Sequence, residues 1–401
     1  MNILFVSYWG INEGLTVATV DPHLEVLSGF KHVNKIILTT IEREDKPVRK
    51  LNILKVRHIS IYSGTSFIDK YRDYTSVPNK LLQLCEEHAV DTIICRGAPA
   101  GALGYLVWKK TNIPFYVESF EPHAEYMRES GVWKRWDLRY LLSRYWEEKQ
   151  KQHAKGLMPV AKNYRKKLIS EGVPEDKIMV LPCTVDVDKF KFDQEKRKEV
   201  REKLIIKDQT IVGIYVGKYG GMYMDQEAFN LYRQAFDYWH EFYLIILSPE
   251  EHHLHIEARV REFKLPSEKV YVQQADHFEI PAYLSSADFA FATYNPGKSK
   301  AYLSPIKIGE YWASGLPVVL TKGVGDDAEI ITKEHIGVLI SNEHLGISCI
   351  ELEALSNILN NPLLRKQIPV HAKKYRSRKI IGEVYSYFLE VSILFYVILL
   401  N

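Results

Sequence analysis

The sequence predicts an α/β protein made of two Rossmann-like domains with parallel sheets. Three observations carry this expectation. Short apolar runs alternate with helix-prone stretches from Ile3 to Val117, a spacing that builds a parallel sheet with helices on both faces. A second series of the same kind opens at Thr210-Ile-Val-Gly-Ile-Tyr-Val216. The 401 residues suffice for two domains, each with its own core. We expect a first domain over 1–190, a second over 191–375 and a C-terminal helix over 376–401.

Composition narrows the class. With 46% hydrophobic and 26% charged residues the chain is globular. A net charge of +3 gives no electrostatic basis for nucleic-acid binding, so charge must act locally. Cys85, Cys95, Cys183 and Cys349 lie far apart without a Cys-x-x-Cys pair, which reads as free thiols in a reducing compartment. Met1 runs straight into strand-like Asn2–Ser7 with no basic, apolar leader, and a cytoplasmic protein is expected.

In the first half, Ile3–Val6 reads as a buried strand and Ser7–Gly14 as the loop after it. Gly10 and Gly14 either bring that backbone close to a substrate or only turn the chain. A helix over 19–30, strands over 35–39 and 56–61, and a helix over 80–88 follow. A strand over 91–95, a small-residue helix over 98–110 and a strand over 113–117 complete the series. No Gly-x-Gly-x-x-Gly follows any of these strands, which disfavours a nicotinamide enzyme.

Glu118-Ser-Phe-Glu-Pro-His-Ala124 leaves the last of these strands on the side where doubly wound sheets bind ligands. Glu118, Glu121 and His123 fall within six positions, a set suited to acid–base work at a bound hydroxyl. A packed or solvated histidine is the plainer reading. Gly131–Gln150, read as a helix, interleaves Trp133, Trp136, Tyr140, Tyr145 and Trp146 with Lys134, Arg135, Arg139 and Arg144. That pattern suits peripheral contact with an anionic membrane, and equally an amphipathic helix covering a core. A strand over 157–160, a helix over 163–170 and a strand from Lys177 lead to Val185-Asp-Val-Asp188. There Asp186 reads as a turn former, and a charged helix over 193–203 opens the second half.

The strand ending at Val216 runs into Gly217-Lys218-Tyr219-Gly220-Gly221. Its glycines let backbone N–H groups approach a diphosphate, and Lys218 supplies charge. Strands over 243–248, 269–273 and 288–293 and helices over 252–263 and 280–286 follow. His252, His253 and His255 point different ways on a helix and read as surface rather than metal ligands. Tyr294–Leu303 forms a basic approach through Lys298 and Lys300.

The next segment, Ser304–Leu320, is a complete helix-to-strand unit. Ser304 suits the N-cap and Pro305 the first helical position, while Gly315 and Pro317 stop the helix before Val318–Leu320. Lys307 and Glu310 are three apart, on one side, just below unpaired first-turn donors. A helix start with a lysine attracts phosphate. A carboxylate one turn further in can accept from a sugar's paired hydroxyls. The same spacing also fits an ordinary surface pair. So read, a nucleotide-sugar site comprises Gly217, Lys218, Gly220, Ser304, Lys307 and Glu310. Thr321–Asp327 is another glycine loop, and Val384–Leu400 is almost wholly apolar, at 17 residues marginal for spanning a membrane.

Pro305-x-Lys307-x-x-Glu310-Tyr311-x-Ala313-x-Gly315-x-Pro317-Val318-Val319 resembles the donor-binding segment of retaining glycosyltransferases with two Rossmann domains (GT-B), the glycosyltransferase family 4 group. Lys177–Phe190 resembles the interdomain stretch of that family, and the similarity is strongest over 157–340. The resemblance implies two facing domains, nucleotide on the second, acceptor on the first, with the last helix crossing back onto the first. It implies transfer of a sugar from a UDP- or GDP-linked donor to a hydroxyl of a glycan or lipid-linked acceptor, with retention. Cell-surface polysaccharide biosynthesis at the inner face of the membrane is the setting it implies.

By the same resemblance Lys218 and Lys307 neutralise the leaving diphosphate and Glu310 holds the ribose. His123, with Glu118 nearby, contacts the donor sugar or shuttles a proton. No metal is expected, since the only Asp-x-Asp, Asp186-Val-Asp188, lies in the linker. Two positions depart from the family. Tyr302 stands where a second glutamate is usual, and Met222 and Tyr223 where a second cation is expected. A non-catalytic partner subunit and a sugar-nucleotide epimerase of the same shape remain as alternatives.

Overall fold

Strands that are apolar on both faces belong in parallel sheets covered by helices. The chain builds two such sheets in a computed structural model that describes residues 1–341 and 346–399. The first contains β1 (Asn2–Ser7), β2 (Lys35–Glu42), β3 (Val56–Tyr62), β4 (Thr92–Arg96), β5 (Phe115–Glu118) and β6 (Gly156–Leu157). Their order is β3-β2-β1-β4-β5-β6, and all neighbours run parallel. Phe5 of β1 lies between Leu38 and Ile94, and all three are fully buried. The order reverses between β1 and β4, so the carboxyl ends of those strands open the crevice where such sheets bind ligands.

The second sheet contains β7 (Ile211–Val216), β8 (Phe242–Leu247), β9 (Val270–Gln273), β10 (Phe289–Ala292), β11 (Val318–Thr321) and β12 (Gly337–Ile340). Its order, β12-β11-β10-β7-β8-β9, is the same winding, again all parallel. The reversal here falls between β7 and β10, where Phe291 pairs with Tyr215 and Val319. The chain divides into one unit of Met1–Thr184 with Arg378–Asn401 and another of Val185–Ser377.

The C-terminal helix, Lys379–Leu399, belongs to the first unit. Ile381, Val384, Tyr385, Phe388 and Leu389 are buried with Ile3, Phe5, Leu24 and Tyr116. The Tyr116 hydroxyl also donates to the Phe388 carbonyl at 3.2 Å. The apolar run expected to reach 400 is followed as far as Leu389, and its later side chains lie outside the described residues. Among the described residues no helix is long and apolar enough to cross a membrane.

Three elements differ from expectation. The helix expected over 80–88 is the end of Phe67–Glu87, which a Ser66–Asp69 capping box starts and which runs through Pro78. The helix expected over 131–150 is Leu138–His153, begun by Asp137, whose carboxylate accepts the Arg139 N–H, so Trp133 and Trp136 precede it. Lys177 opens no strand. Ile178 makes only a bridge to Leu157, and the chain continues without regular structure to the bridge at Val185.

Candidate active site

In the second unit β7 ends at Val216, whose N–H donates to the Tyr311 hydroxyl at 3.0 Å. Gly217 follows with φ +147, and a Cβ there would lie 2.5 Å from the Lys307 Nζ. Only glycine leaves room for this approach. Lys307 is the second residue of helix Ile306–Ala313. Its stem is half-exposed, but its ammonium is sealed inside a cage of tyrosine rings. Nζ stands 4.3 Å from the ring centre of Tyr223, 4.9 Å from Tyr215 and 5.8 Å from Tyr294. Among the described residues it has no hydrogen-bond partner. Burial pushes its pKa down to about 7, against the attraction of Glu310. A cation held by ring faces alone lacks the acceptors an ammonium normally demands.

Glu310 is buried on the next turn, with Oε1 3.5 Å from the His277 Nε2. The other nitrogen of His277 is 2.8 Å from the Lys189 Nζ, and its ring meets Phe190 edge-on at 5.5 Å. Lys307 and Glu310 are therefore not a solvated surface pair. His277, which sequence reasoning missed, sits in the loop after β9, where only its place at a strand's carboxyl end signalled a site. Lys218 turns to solvent and lies 3.6 Å from Glu251, outside the tyrosine cage. Gly220 and Gly221 both take left-handed φ values, +79 and +62, with open space where side chains would stand.

Ser304 does not hold the expected cap position. The cap falls at Pro305, and the Ser304 hydroxyl accepts from Arg376. Arg376 also bonds Asp327, a fully buried carboxyl that burial raises to about 6. The basic approach is solvated only in part, with Lys298 exposed. Lys300 is buried, and its carbonyl accepts the Gly325 N–H at 2.8 Å. The histidine cluster diverges as expected. His253 bonds the Ser248 carbonyl, His255 reaches Asp225 at 2.8 Å, and no group of three ligands for a metal forms among the described residues.

In the first unit His123 begins helix His123–Glu129 at the carboxyl end of β5. Its Nδ1 is 3.4 Å from the Glu121 Oε1, and Trp133 meets its ring edge-on at 5.5 Å. Burial lowers its pKa, but the Glu121 hydrogen bond and the charges of Glu121 and Glu147 outweigh that and raise it. Glu147 is buried in helix Leu138–His153 and accepts the Ala124 N–H at 2.8 Å. Burial pushes its own pKa up to about 7. It thus holds the first turn of the helix that presents His123.

Glu118 is a correction. It is 1% exposed, and Arg96, His23 and the Tyr385 hydroxyl occupy its oxygens. It joins the C-terminal helix to the sheet and offers no face to a substrate. Gly10 is likewise kept small by the Glu42 carboxylate, 2.7 Å from where its Cβ would be, and Gly14 starts a helix.

Residues 36–189 match the family model described as Glycosyltransferase Family 4. The match covers less than half of the 401 residues and is a likeness of that stretch to the family. A search of curated proteins by sequence finds no match. Solved structures share the fold of the chain. HepE of Anabaena in complex with UDP superimposes with a TM-score of 0.72 at 12% identity, over 98% of this chain and 100% of that one. Sucrose-phosphate synthase of Thermosynechococcus elongatus gives 0.72 at 16%, over 100% and 99%. A putative UDP-N-acetylglucosamine 2-epimerase of Listeria monocytogenes gives 0.63 at 12%, over 97% of each chain. At such identities the likeness is one of fold, and it spans a synthase and a putative epimerase alike.

Proposed function

We propose that this protein is a glycosyltransferase that moves a sugar from a UDP- or GDP-linked donor to a hydroxyl of a glycan or lipid-linked acceptor, with retention at the anomeric carbon. One observation carries the donor half of this reading. The Lys307 ammonium is buried without an acceptor among the described residues, beside a glycine turn at the carboxyl end of β7. A cation left unsatisfied at a helix start is best explained by an anion that arrives as substrate. HepE, of like fold, was crystallised with UDP and with UDP-glucose, which makes UDP the first donor to test.

In this reading Lys307, joined by Lys218, takes the charge that grows on the diphosphate as the bond from the anomeric carbon to its oxygen breaks. Their charge does the work of a metal ion, and activity should survive EDTA. Gly220 and the first turn after Ser304 bring N–H groups to the phosphates, while Gly217, whose own N–H is held by the Leu247 carbonyl, leaves the space they enter. Glu310 exchanges His277 for the ribose hydroxyls. On the acceptor side His123 handles the proton of the attacking hydroxyl, and Glu147 keeps it in place. Polysaccharide synthesis at the inner face of the cell membrane, with peripheral contact through 131–150, is the setting we infer. Tyr302, at the position of a usual glutamate, supports the rival reading of a non-catalytic partner subunit.

The test is nucleotide release from UDP-glucose, UDP-galactose, UDP-N-acetylglucosamine and GDP-mannose with candidate acceptors, and NMR of the product's anomeric proton. An α-donor giving an α-product, lost in Lys307→Met and Glu310→Ala, supports the proposal. Inversion would remove the retaining claim. Conversion of donor without acceptor would favour the epimerase, and no turnover of any donor the partner subunit.

A further inference from the structure

The cavity beside His123 is built for an apolar guest. It measures about 190 Å³ and lies wholly within the first unit, at the carboxyl ends of β1, β4 and β5. Phe67, Tyr74, Pro99, Ala102, Leu142 and Trp146 are among the residues of its wall. The rings are already arrayed as a stack, with Tyr74 6.3 Å from Tyr8 and 6.0 Å from Trp146. Several polar groups on the wall are spoken for. The Tyr8 hydroxyl donates to Asp73 at 2.9 Å, Ser143 donates to Glu147 at 3.2 Å, and Arg139 is held by Asp137. A sugar placed here would leave hydroxyls unpaired, each a loss of roughly tenfold or more in affinity.

The mouth has a different character. Lys70 stands exposed at the rim and makes no ion pair among the described residues. Exposed apolar side chains continue on helix Leu138–His153, interleaved with the exposed Arg139 and Arg144. Leu138, Leu141 and Tyr145 are 53%, 46% and 50% exposed and flank Leu142 at helical spacing on Leu138–His153. Phe67 and Tyr71, both exposed, flank Lys70 on the facing helix. An exposed apolar track running from a cavity, with a free cation beside it, matches a ligand that is itself apolar with one anionic group.

We propose that this cavity binds the hydrocarbon end of an amphiphilic, phosphate-bearing acceptor. The chain lies among the aromatic rings, the phosphate meets Lys70, and the hydroxyl to be glycosylated faces His123. The inference rests on the reading of the first unit as the acceptor half.

Butyl, hexyl and octyl phosphate, each below its micelle concentration, test it by tryptophan fluorescence and thermal shift. UDP binding is measured in parallel as a check on folding. Each pair of added methylenes should tighten binding roughly tenfold until the cavity is full. Leu142→Asp should abolish that chain-length dependence while UDP binding stands. Lys70→Glu should weaken hexyl phosphate several-fold and leave hexanol unchanged. A flat chain-length series, or one unaltered in Leu142→Asp, overturns the proposal. Tighter binding of glucose or maltose than of hexyl phosphate overturns it too, as does binding to anionic vesicles with no response to the alkyl phosphates. Intact chain-length dependence with no nucleotide bound by any means supports the cavity and sinks the transferase reading instead.

Discussion

Lys307 shows how much one residue's surroundings change its meaning. Three apart from Glu310, it reads as a surface pair, yet its ammonium is buried among Tyr215, Tyr223 and Tyr294, without an acceptor among the described residues. Its pKa near 7 lies below the ordinary lysine value, so between those limits the unfolded chain binds more protons than the folded one. Stability of the free protein should therefore rise with pH from about 7 toward 10. Lys307→Met removes the buried charge and should raise the melting temperature at pH 6, with the gain fading by pH 10. Gly217→Ala puts a methyl where Nζ now lies, in a backbone region that strains any side chain. Melting curves should show a loss of about 1–3 kcal/mol, and nucleotide affinity should drop as the displaced ammonium leaves the cage. Glu147→Gln keeps an acceptor for the Ala124 N–H but removes the nearby charge, so the His123 pKa followed by NMR should fall. Glu147→Ala orphans that N–H and should cost about 1–3 kcal/mol in denaturant unfolding.

Elements were legible where local rules agree. β7 to β11 and the helix before β11 follow from apolar runs, Gly315 and Pro317, because strand burial and helix stops are written in neighbouring residues, whereas β12 was not foreseen. Pro78 hid most of helix Phe67–Glu87, since proline usually ends a helix, and only the Ser66–Asp69 box marks the true start. Glu118 was misread because its partners come from far along the chain. Burial alone would raise its carboxyl, but His23 and Arg96 beside it hold it at about 2. A carboxylate depressed in this way stabilises the fold above its ordinary pKa, and that support fades as pH falls from about 4.5 toward 2. Tyr385, on the C-terminal helix, completes that cluster. Tyr385→Phe should lower unfolding free energy by about 1–3 kcal/mol at neutral pH, read from urea titration. A change under a few tenths would mean that the helix is held by its apolar face alone.

At the scale of the molecule, both units repeat one winding, β3-β2-β1-β4-β5-β6 and its counterpart from β7 to β12, and each puts its candidate groups at carboxyl ends of strands. The parallel sheets followed from the alternation of strands and helices, but the order of their strands did not. The family match falls on 36–189, whereas the donor motif that carried the resemblance lies at 304–320. A motif of glycine, proline and charge survives in sequence because each position has a backbone duty, while an acceptor cavity is assembled from side chains of distant elements. Hence Lys307 and Glu310 were readable, and His277, Glu147 and the aromatic cavity were not. The central claim is that the caged ammonium of Lys307 awaits a nucleotide diphosphate. Calorimetry of UDP and GDP binding at pH 8, in two buffers of different ionisation enthalpy, tests it directly. One nucleotide should bind with uptake of nearly one proton, and Lys307→Met should lose both the uptake and at least tenfold in affinity. Binding of equal strength in Lys307→Met without proton uptake in either protein, or no binding at all, would contradict it.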